Sequence, residues 1–262
     1  MSSHLLLQLS DPHLSVSSSA TLKGINTAAS LSAVVDHALH CGATFDAVLA
    51  TGDLSQDGSA ESYQRFIDLT EPLAPLCWLP GNHDKPTAMH ALLPEAMQTL
   101  ALGNWRVLTL DSTVANEPHG ELGAARLSAL AVQLAALEAD ADAAHLIVAV
   151  HHNPVANGAQ WLNGIGLRDG AALLDQLNAS AKVRALVHGH IHHPFDEQFG
   201  AVRVLGAPST CVQFAPIATD FAIDSAQPGY RWLRLHEDGT LETGVARLPA
   251  GSFVADASIA SY

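Results

Sequence analysis

His145-Leu146-Ile147-Val148-Ala149-Val150-His151-His152-Asn153-Pro154 carries a nearly all-apolar strand straight into two imidazoles and a turn. A strand that is apolar on both faces belongs to a sheet covered on both sides, the usual condition of a parallel sheet. The pattern recurs along the chain. Leu5–Leu9 leads into Ser10-Asp11-Pro12-His13, and Asp46–Thr51 into Gly52-Asp53. Leu76–Leu79 leads into Pro80-Gly81-Asn82-His83-Asp84, and Val183–Val187 into His188-Gly189-His190-Ile191-His192. Each apolar run therefore ends in a Gly- or Pro-marked turn that holds a carboxylate, an amide or an imidazole.

Helical patterns separate these strands. Ala29, Ala33, Val34, His37 and Ala38 recur at helical spacing within Asn26–Cys41. Ser59–Thr70, Thr87–Leu93, Ala124–Asp140 and Arg168–Asn178 also read as helices, and Arg106–Leu110 as a further strand. Near the end, Val202–Leu205, Tyr230–His236 and Leu241–Leu248 read as antiparallel strands, with His236-Glu237-Asp238-Gly239 as a hairpin turn. The alternation predicts an α/β protein with a mostly parallel buried sheet, and the late strands predict a second, antiparallel layer. No linker, repeat or low-complexity segment marks a break, so residues 1–262 read as a single domain. Ser15–Thr21 and Gln213–Gly229 are long irregular stretches, expected at the surface near the site.

Composition narrows the function. With 48% hydrophobic and 15% charged residues, the chain can bury a sizeable core. Its formal net charge of −14 argues against nucleic-acid and anionic-membrane partners, which need basic surface. A small anionic substrate stays open, because bound cations would reverse the local sign. Cys41, Cys77 and Cys211 are few and odd in number, and are expected reduced and mostly buried in a cytoplasmic protein. The apolar run at Leu5–Leu7 is too short for a signal peptide, and no run reaches the roughly 18 residues of a membrane span. The oligomeric state is left open.

Seven side chains at the strand ends are candidate metal ligands: Asp11, His13, Asp53, Asn82, His151, His190 and His192. In open α/β sheets, ligands gather at the carboxyl ends of strands. Asp11 and His13 stand at i and i+2, which in extended backbone point the same way. Read alone, they also suit an Asx-turn and a surface histidine. Asp53 suits a turn or a helix cap, or a carboxylate that uses both oxygens to bridge two ions. Asn82 offers an amide oxygen and His83 a ring placed to meet a phosphate, although Gly81-Asn82 would also serve a plain turn. Of the pair His151 and His152, strand alternation lets one face the site, and His151 is taken as the ligand. His152 then either supports a ligand from behind or faces solvent. His190 and His192 can each serve a different cation of a pair roughly 3.5–4 Å apart, with Gly189 permitting close backbone approach. His145, His188 and His193 read as ordinary packing or surface residues. An excess of histidine, 15 against 12 Lys+Arg, is consistent with metal binding.

In this order the residues resemble the calcineurin-type metallophosphoesterase superfamily, whose D-x-H, G-D, G-N-H-[DE], H and G-H-x-H motifs are all matched. Within it the chain resembles the bacterial class III 3′,5′-cyclic-AMP phosphodiesterases almost end to end. Ala50–Asp57, Trp78–Asp84, Pro118–Leu122 and Pro208–Phe214 carry that likeness. The resemblance implies a four-layer α/β/β/α sandwich with two mixed β-sheets. It implies that Asp11, His13 and His192 hold one metal, that Asn82, His151 and His190 hold a second, and that Asp53 bridges them. It further implies that His13, Asp53, Asn82, His83 and His192 meet the substrate, with His83 and Asp53 touching the reacting atoms. The implied reaction is hydrolysis of cyclic AMP to 5′-AMP by a hydroxide bridging two metal ions, with His83 assisting the departing 3′ oxygen. Oxygen and imidazole ligands suit iron and/or manganese. Other small phosphodiesters, such as 2′,3′-cyclic nucleotides or glycerophosphodiesters, are the alternative substrates. A non-catalytic scaffold is the remote alternative, and it should have lost ligands that this chain keeps. Trp161, Arg168, His119 and Phe214 are candidates to contact base or ribose, with none preferred.

Overall fold

A computed structural model describes residues 2–73, 75–92 and 99–259. The first half contains β1 (Ser3–Leu9), two short strands β2 (Thr21–Leu22) and β3 (Ile25–Asn26), α1 (Thr27–Leu39), β4 (Ala47–Ala50), α2 (Ala60–Thr70), β5 (Leu76–Trp78) and α3 (Pro86–Leu92). It continues with β6 (Leu100–Leu102), β7 (Trp105–Thr109) and α4 (Gly123–Ala139). Then come β8 (His145–Val150), α5 (Gly170–Asn178), β9 (Val183–His188), β10 (Phe195–Phe199), β11 (Val202–Gly206), β12 (Gly229–His236) and β13 (Leu241–Arg247).

Two mixed sheets form, in the orders β13-β12-β1-β4-β5 and β10-β11-β9-β8-β7-β6. The pleat decides what each covers. Leu5, Leu7 and Leu9 of β1 pack with Leu31, Val34 and Phe66 of α1 and α2. Leu6, one position out of phase, packs with Leu49, Ile147, Ala149 and Val187 between the sheets. On β8 the same alternation sends Leu146, Val148 and Val150 toward Leu130 and Leu134 of α4 and Leu173 and Leu177 of α5. The result is the expected α/β/β/α sandwich. Ala47, Ala149 and Ala185 are fully buried in the middle layer, and their small side chains let the sheets approach closely.

Helix starts follow local chemistry. The Asn26 side chain accepts the Ala29 N–H at 2.7 Å and caps α1, so the helix begins one residue later than its pattern suggests. Ser59 caps α2 in the same way. The helix expected at Thr87–Leu93 runs from Pro86 to Leu92, and Leu93 lies outside the described residues. Cys77 and Cys211 are buried and Cys41 is exposed, all three as free thiols. No helix among the described residues is long and apolar enough to cross a membrane.

The late strands depart from expectation. They do not build a separate antiparallel layer. β11 lies parallel to β9 in the second sheet and antiparallel to β10, while β12 and β13 join the first sheet beside β1. Strand pairing is set by which sheet offers an open edge of matching register, and this is not written in a strand's own residues. The hairpin turn is where it was expected, with Gly239 at φ 87° and its N–H bonded to His236. β10 was missed because its edge sequence is polar and exposed, with no apolar run to mark it.

The carboxyl ends of β1, β4, β8 and β9 meet along one rim. Gly189 sits at the junction and donates its N–H to the His151 carbonyl at 3.1 Å. A Cβ there would lie 2.1 Å from Ser10 Oγ and 2.8 Å from the Thr51 carbonyl oxygen. Gly189→Ala should therefore lower stability by about 1–3 kcal/mol through overpacking. Equilibrium urea unfolding measures this, and a change within about 0.5 kcal/mol would contradict the close approach.

Candidate metal centre

The rim draws all seven candidate ligands to one place, by a route other than extended backbone. Asp11, His13, Asp53, His190 and His192 have φ of 54°, 50°, 50°, 68° and 52°. Left-handed backbone costs of order 1 kcal/mol or more for a residue with a Cβ. The i, i+2 pairs thus converge because tight turns fold back at both members, not because alternating side chains share a face. Such strain persists only where the surroundings over-determine it. Here Asp11 donates its N–H to Gly52 O at 3.1 Å, and His13 donates to Asp53 O at 3.0 Å. From the other sheet, the His190 N–H reaches both Asp11 carboxylate oxygens at 3.2 Å.

Ligand atoms fall into overlapping groups, each within 4.8 Å. One is Asp11, His13 and His192, a second is Asp11, Asp53 and His151, and a third is His13, Asp53 and His83. Asp53 occupies the middle. Its Oδ2 lies 3.3 Å from His151 Nε2 and 3.8 Å from His13 Nε2. Asn82 Oδ1 stands 3.2 Å from the same His151 nitrogen. Gly81 has to lack a side chain, because a Cβ would fall 2.2 Å from Asp53 Oδ1.

Hydrogen bonds behind the rings set their tautomers. His151 Nδ1 donates to Thr51 O at 2.7 Å and His192 Nδ1 to Val212 O at 2.8 Å. His13 Nδ1 donates to Gln56 Oε1 at 2.6 Å. In the neutral rings each Nε2 then carries a lone pair toward the centre. His13 Nε2 and His192 Nε2 face each other at 3.2 Å, an arrangement that a cation between them would satisfy. His190 Nε2 is buried with no hydrogen-bond partner.

Electrostatics point the same way. Burial, and then the neighbouring His83 and His192, push His13 down to about 3 against the pull of Asp53. Burial holds His190 well below its ordinary value, with His152 and His151 adding to the shift. Burial would raise the Asp11 and Asp53 carboxyls, but His192 beside the first and His151 beside the second hold both lowered. His151 is the exception. Burial lowers it, yet the Asp53 and Asp11 charges outweigh burial and raise it to about 9. Two buried carboxylates, an amide oxygen and imidazoles are a donor set for hard or borderline cations. The residues fit a metal pair. Burial raises the Cys77 and Cys211 thiols to about 12, which leaves them inert.

His152 is fully buried, so the solvent-facing option falls. Its ring lies 4.9 Å from His151 and 4.8 Å from His190, and its Nδ1 pairs with Ser112 Oγ at 2.8 Å. It also joins His151 and His190 in a further group of possible ligand atoms. His145, His188 and His193 are buried packing residues. His83 is half-buried and gives its backbone N–H to Asp53 Oδ1 at 2.9 Å.

Several supports had no role assigned from the sequence. Asp84 accepts the N–H groups of Leu54, Ser55 and Gly81 at 3.1, 2.9 and 2.8 Å, and so ties two ligand loops together. Burial and the Asp53 charge still raise its carboxyl to about 7. Ser209 Oγ donates to Asp11 O at 2.7 Å, and the Phe214 ring stacks on His192 at 4.0 Å and 5°. The segment Pro208–Phe214 signalled its importance by resemblance, but no local pattern gave its role. Over the centre lies a cavity of about 360 Å³ whose floor includes Asp53, Asn82, His83 and His190.

Two sheets that deliver paired ligand groups to one rim define a metallophosphoesterase. The chain belongs to the calcineurin-like phosphoesterase family, whose profile matches residues 4–194. It is 45% identical over 262 residues to the 3′,5′-cyclic adenosine monophosphate phosphodiesterase CpdA of Pseudomonas aeruginosa, covering 98% of this chain and 95% of the relative. It is 39% identical to the CpdA phosphodiesterase of Escherichia coli K12, covering 98% and 94%. Among solved structures, a purple acid phosphatase from yellow lupin seeds aligns with a TM-score of 0.64 at 14% identity, covering 94% of this chain and 52% of that one. A dimetal phosphatase from Danio rerio aligns with 0.61 at 13% identity, covering 93% and 98%. These two show the shared fold.

A cation that enters the centre has to displace the proton on His151. Below about pH 9 that ring is charged and paired with Asp53. Apparent metal affinity of the chelator-stripped protein should therefore rise by about tenfold per pH unit toward pH 9 and flatten above it. Competition against a chromogenic chelator across that range is the check, and a flat profile would contradict it.

Proposed function

We propose that the chain hydrolyses 3′,5′-cyclic AMP to 5′-AMP at a two-metal site. One geometric observation carries the chemistry: a carboxylate, Asp53, shared between neighbouring groups of buried ligands on a cavity floor. The substrate follows from the relatives, which are cyclic-AMP phosphodiesterases along nearly their full length.

Asp11, His13 and His192 would hold one ion, Asn82, His151 and His190 the other, and Asp53 both. The central position of Asp53 Oδ2 supports the last assignment. When bound, such a pair acts as a Lewis acid that activates water near neutral pH and offsets charge on the phosphoryl oxygens. The mixed oxygen and imidazole set favours iron and/or manganese over a thiolate-bound metal. The protein's own groups do the positioning. His13, Asp53, Asn82, His83 and His192 surround the phosphoryl group. His83, anchored by its N–H on Asp53, donates a proton to the departing 3′ oxygen. The ligands come from both sheets, which supports treating residues 1–262 as one working domain. Net charge of −14 favours a small substrate over nucleic acid or membrane, and free thiols favour the cytoplasm, where the reaction would lower cyclic AMP.

Two variants separate the roles. His83→Ala should keep both ions and lose roughly 10²–10⁴-fold in turnover. Asp53→Ala should lose the paired ions along with activity. Metal analysis beside steady-state rates reads both, and a His83→Ala enzyme of near-normal rate would remove its assigned role. Iron- and manganese-loaded protein should show its highest kcat/KM on cyclic AMP, against cyclic GMP, 2′,3′-cyclic AMP and a glycerophosphodiester. A preference for the glycerol ester would displace the nucleotide reading.

A further inference from the structure

A cyclic nucleotide is nearly rigid, because its phosphate ring is fused to the ribose. A site that grips the phosphorus therefore dictates where the base lies. The polar floor of the cavity accounts for the phosphate. The wall at Trp161, Leu162, Ile165 and Phe214 is apolar, while the exposed Asn116, Glu117 and Pro118 line another part of the cavity. A base has flat apolar faces, and it belongs against such a wall.

We propose that Trp161 is the specificity-determining residue of this enzyme, the ring on which the substrate's base packs. The inference rests on the reading above that the substrate is a cyclic nucleotide. Trp161 lies in a 3-10 turn, Gln160–Gly164, that is strapped to the neighbouring loop. Gln160 donates its N–H to Ala218 O at 2.7 Å, and Ala218 donates its N–H to Gly158 O at 3.1 Å. The indole joins a cluster of three rings, with Phe214 at 5.1 Å and 69°, Phe221 at 5.2 Å and 73°, and the two phenyl rings 5.4 Å from each other. Such contacts fix a ring's orientation and add to its burial. Phe214 in turn stacks on His192, so the indole and a candidate metal ligand are linked through one aromatic ring. Trp161 is half-buried and lines the cavity, which is the condition for a stacking surface.

The other residues considered for base contact lack this position. Arg168 is exposed and not among the cavity's lining residues. His119 is buried with its Nδ1 3.4 Å from Glu117 Oε2, and it too is not among them. Phe214 lines the cavity but has a ring face on His192. Removing a stacking aromatic lowers affinity for a base about tenfold to a hundredfold. An ester without a base has nothing to lose.

The test compares metal-loaded wild type, Trp161→Ala and Trp161→Phe on two substrates. One is 3′,5′-cyclic AMP. The other is methyl riboside 3′,5′-cyclic phosphate, which has the same phosphate ring and no base. Trp161→Ala should lower the ratio of kcat/KM on cyclic AMP to that on the abasic ester by about tenfold or more, chiefly through KM. Trp161→Phe should restore most of the ratio. An unchanged ratio in Trp161→Ala, whether both rates persist or both fall, overturns the platform. Wild type that fails on cyclic AMP overturns the cyclic-nucleotide reading and the platform with it. Wild type that turns over cyclic AMP at the same ratio as Trp161→Ala overturns the platform alone.

Discussion

The Asp11 carboxylate takes the His190 N–H across the gap between two sheets, and the Thr51 carbonyl takes the His151 ring N–H in the same direction. These bonds lock the strand ends of one sheet to those of the other. Without them the left-handed turns at Asp11, His13, Asp53, His190 and His192 would relax toward less costly backbone. The constraint is electrostatic as well. Two carboxylates are buried side by side, and burial of charge is tolerated only with partners. Backbone N–H groups and imidazoles supply part of that compensation, and a pair of cations would complete it.

The rest of the sandwich serves that rim. Small residues in the middle layer bring the sheets close, so loops from both can share one carboxylate. The helices cover the outer faces and let the strands be apolar on both sides until they reach the polar end. Behind the ligands stands a layer of carbonyls, Gln56 and Phe214 that fixes ring orientation. A metal site is as good as the groups that aim its ligands. The same Phe214 contacts Trp161, so the apolar wall of the cavity and the candidate ligand His192 are braced by a shared ring.

Much of this was legible in the residues. Leu5–Leu9 and Leu146–Val150 announced buried strands, because unbroken apolar runs have no other stable place in a chain of this size. The ligands announced themselves by ending such runs. Other features were not legible. The polar edge strand Phe195–Phe199 carries no local signal. Val202–Gly206 looked like its antiparallel neighbours but lies parallel to Val183–His188. Strand identity is local, whereas strand partnership is a competition among edges formed elsewhere in the chain.

The order and type of the ligands, the apolar alternation and the acidic surface belong to the sequence by itself, since each is a property of neighbouring residues. How the ligands meet was decided by the tertiary structure. Asp11 and His13 converge through positive φ and not by extended alternation, a conformation held by the neighbouring Gly52-Asp53 turn and by the opposite sheet. The burial of His152, the Leu54 and Ser55 N–H groups gathered by Asp84, and the position of Trp161 rather than Arg168 on the cavity wall were settled there too. Each depends on groups dozens of residues apart, and distance in space between such groups exists only once the chain has packed.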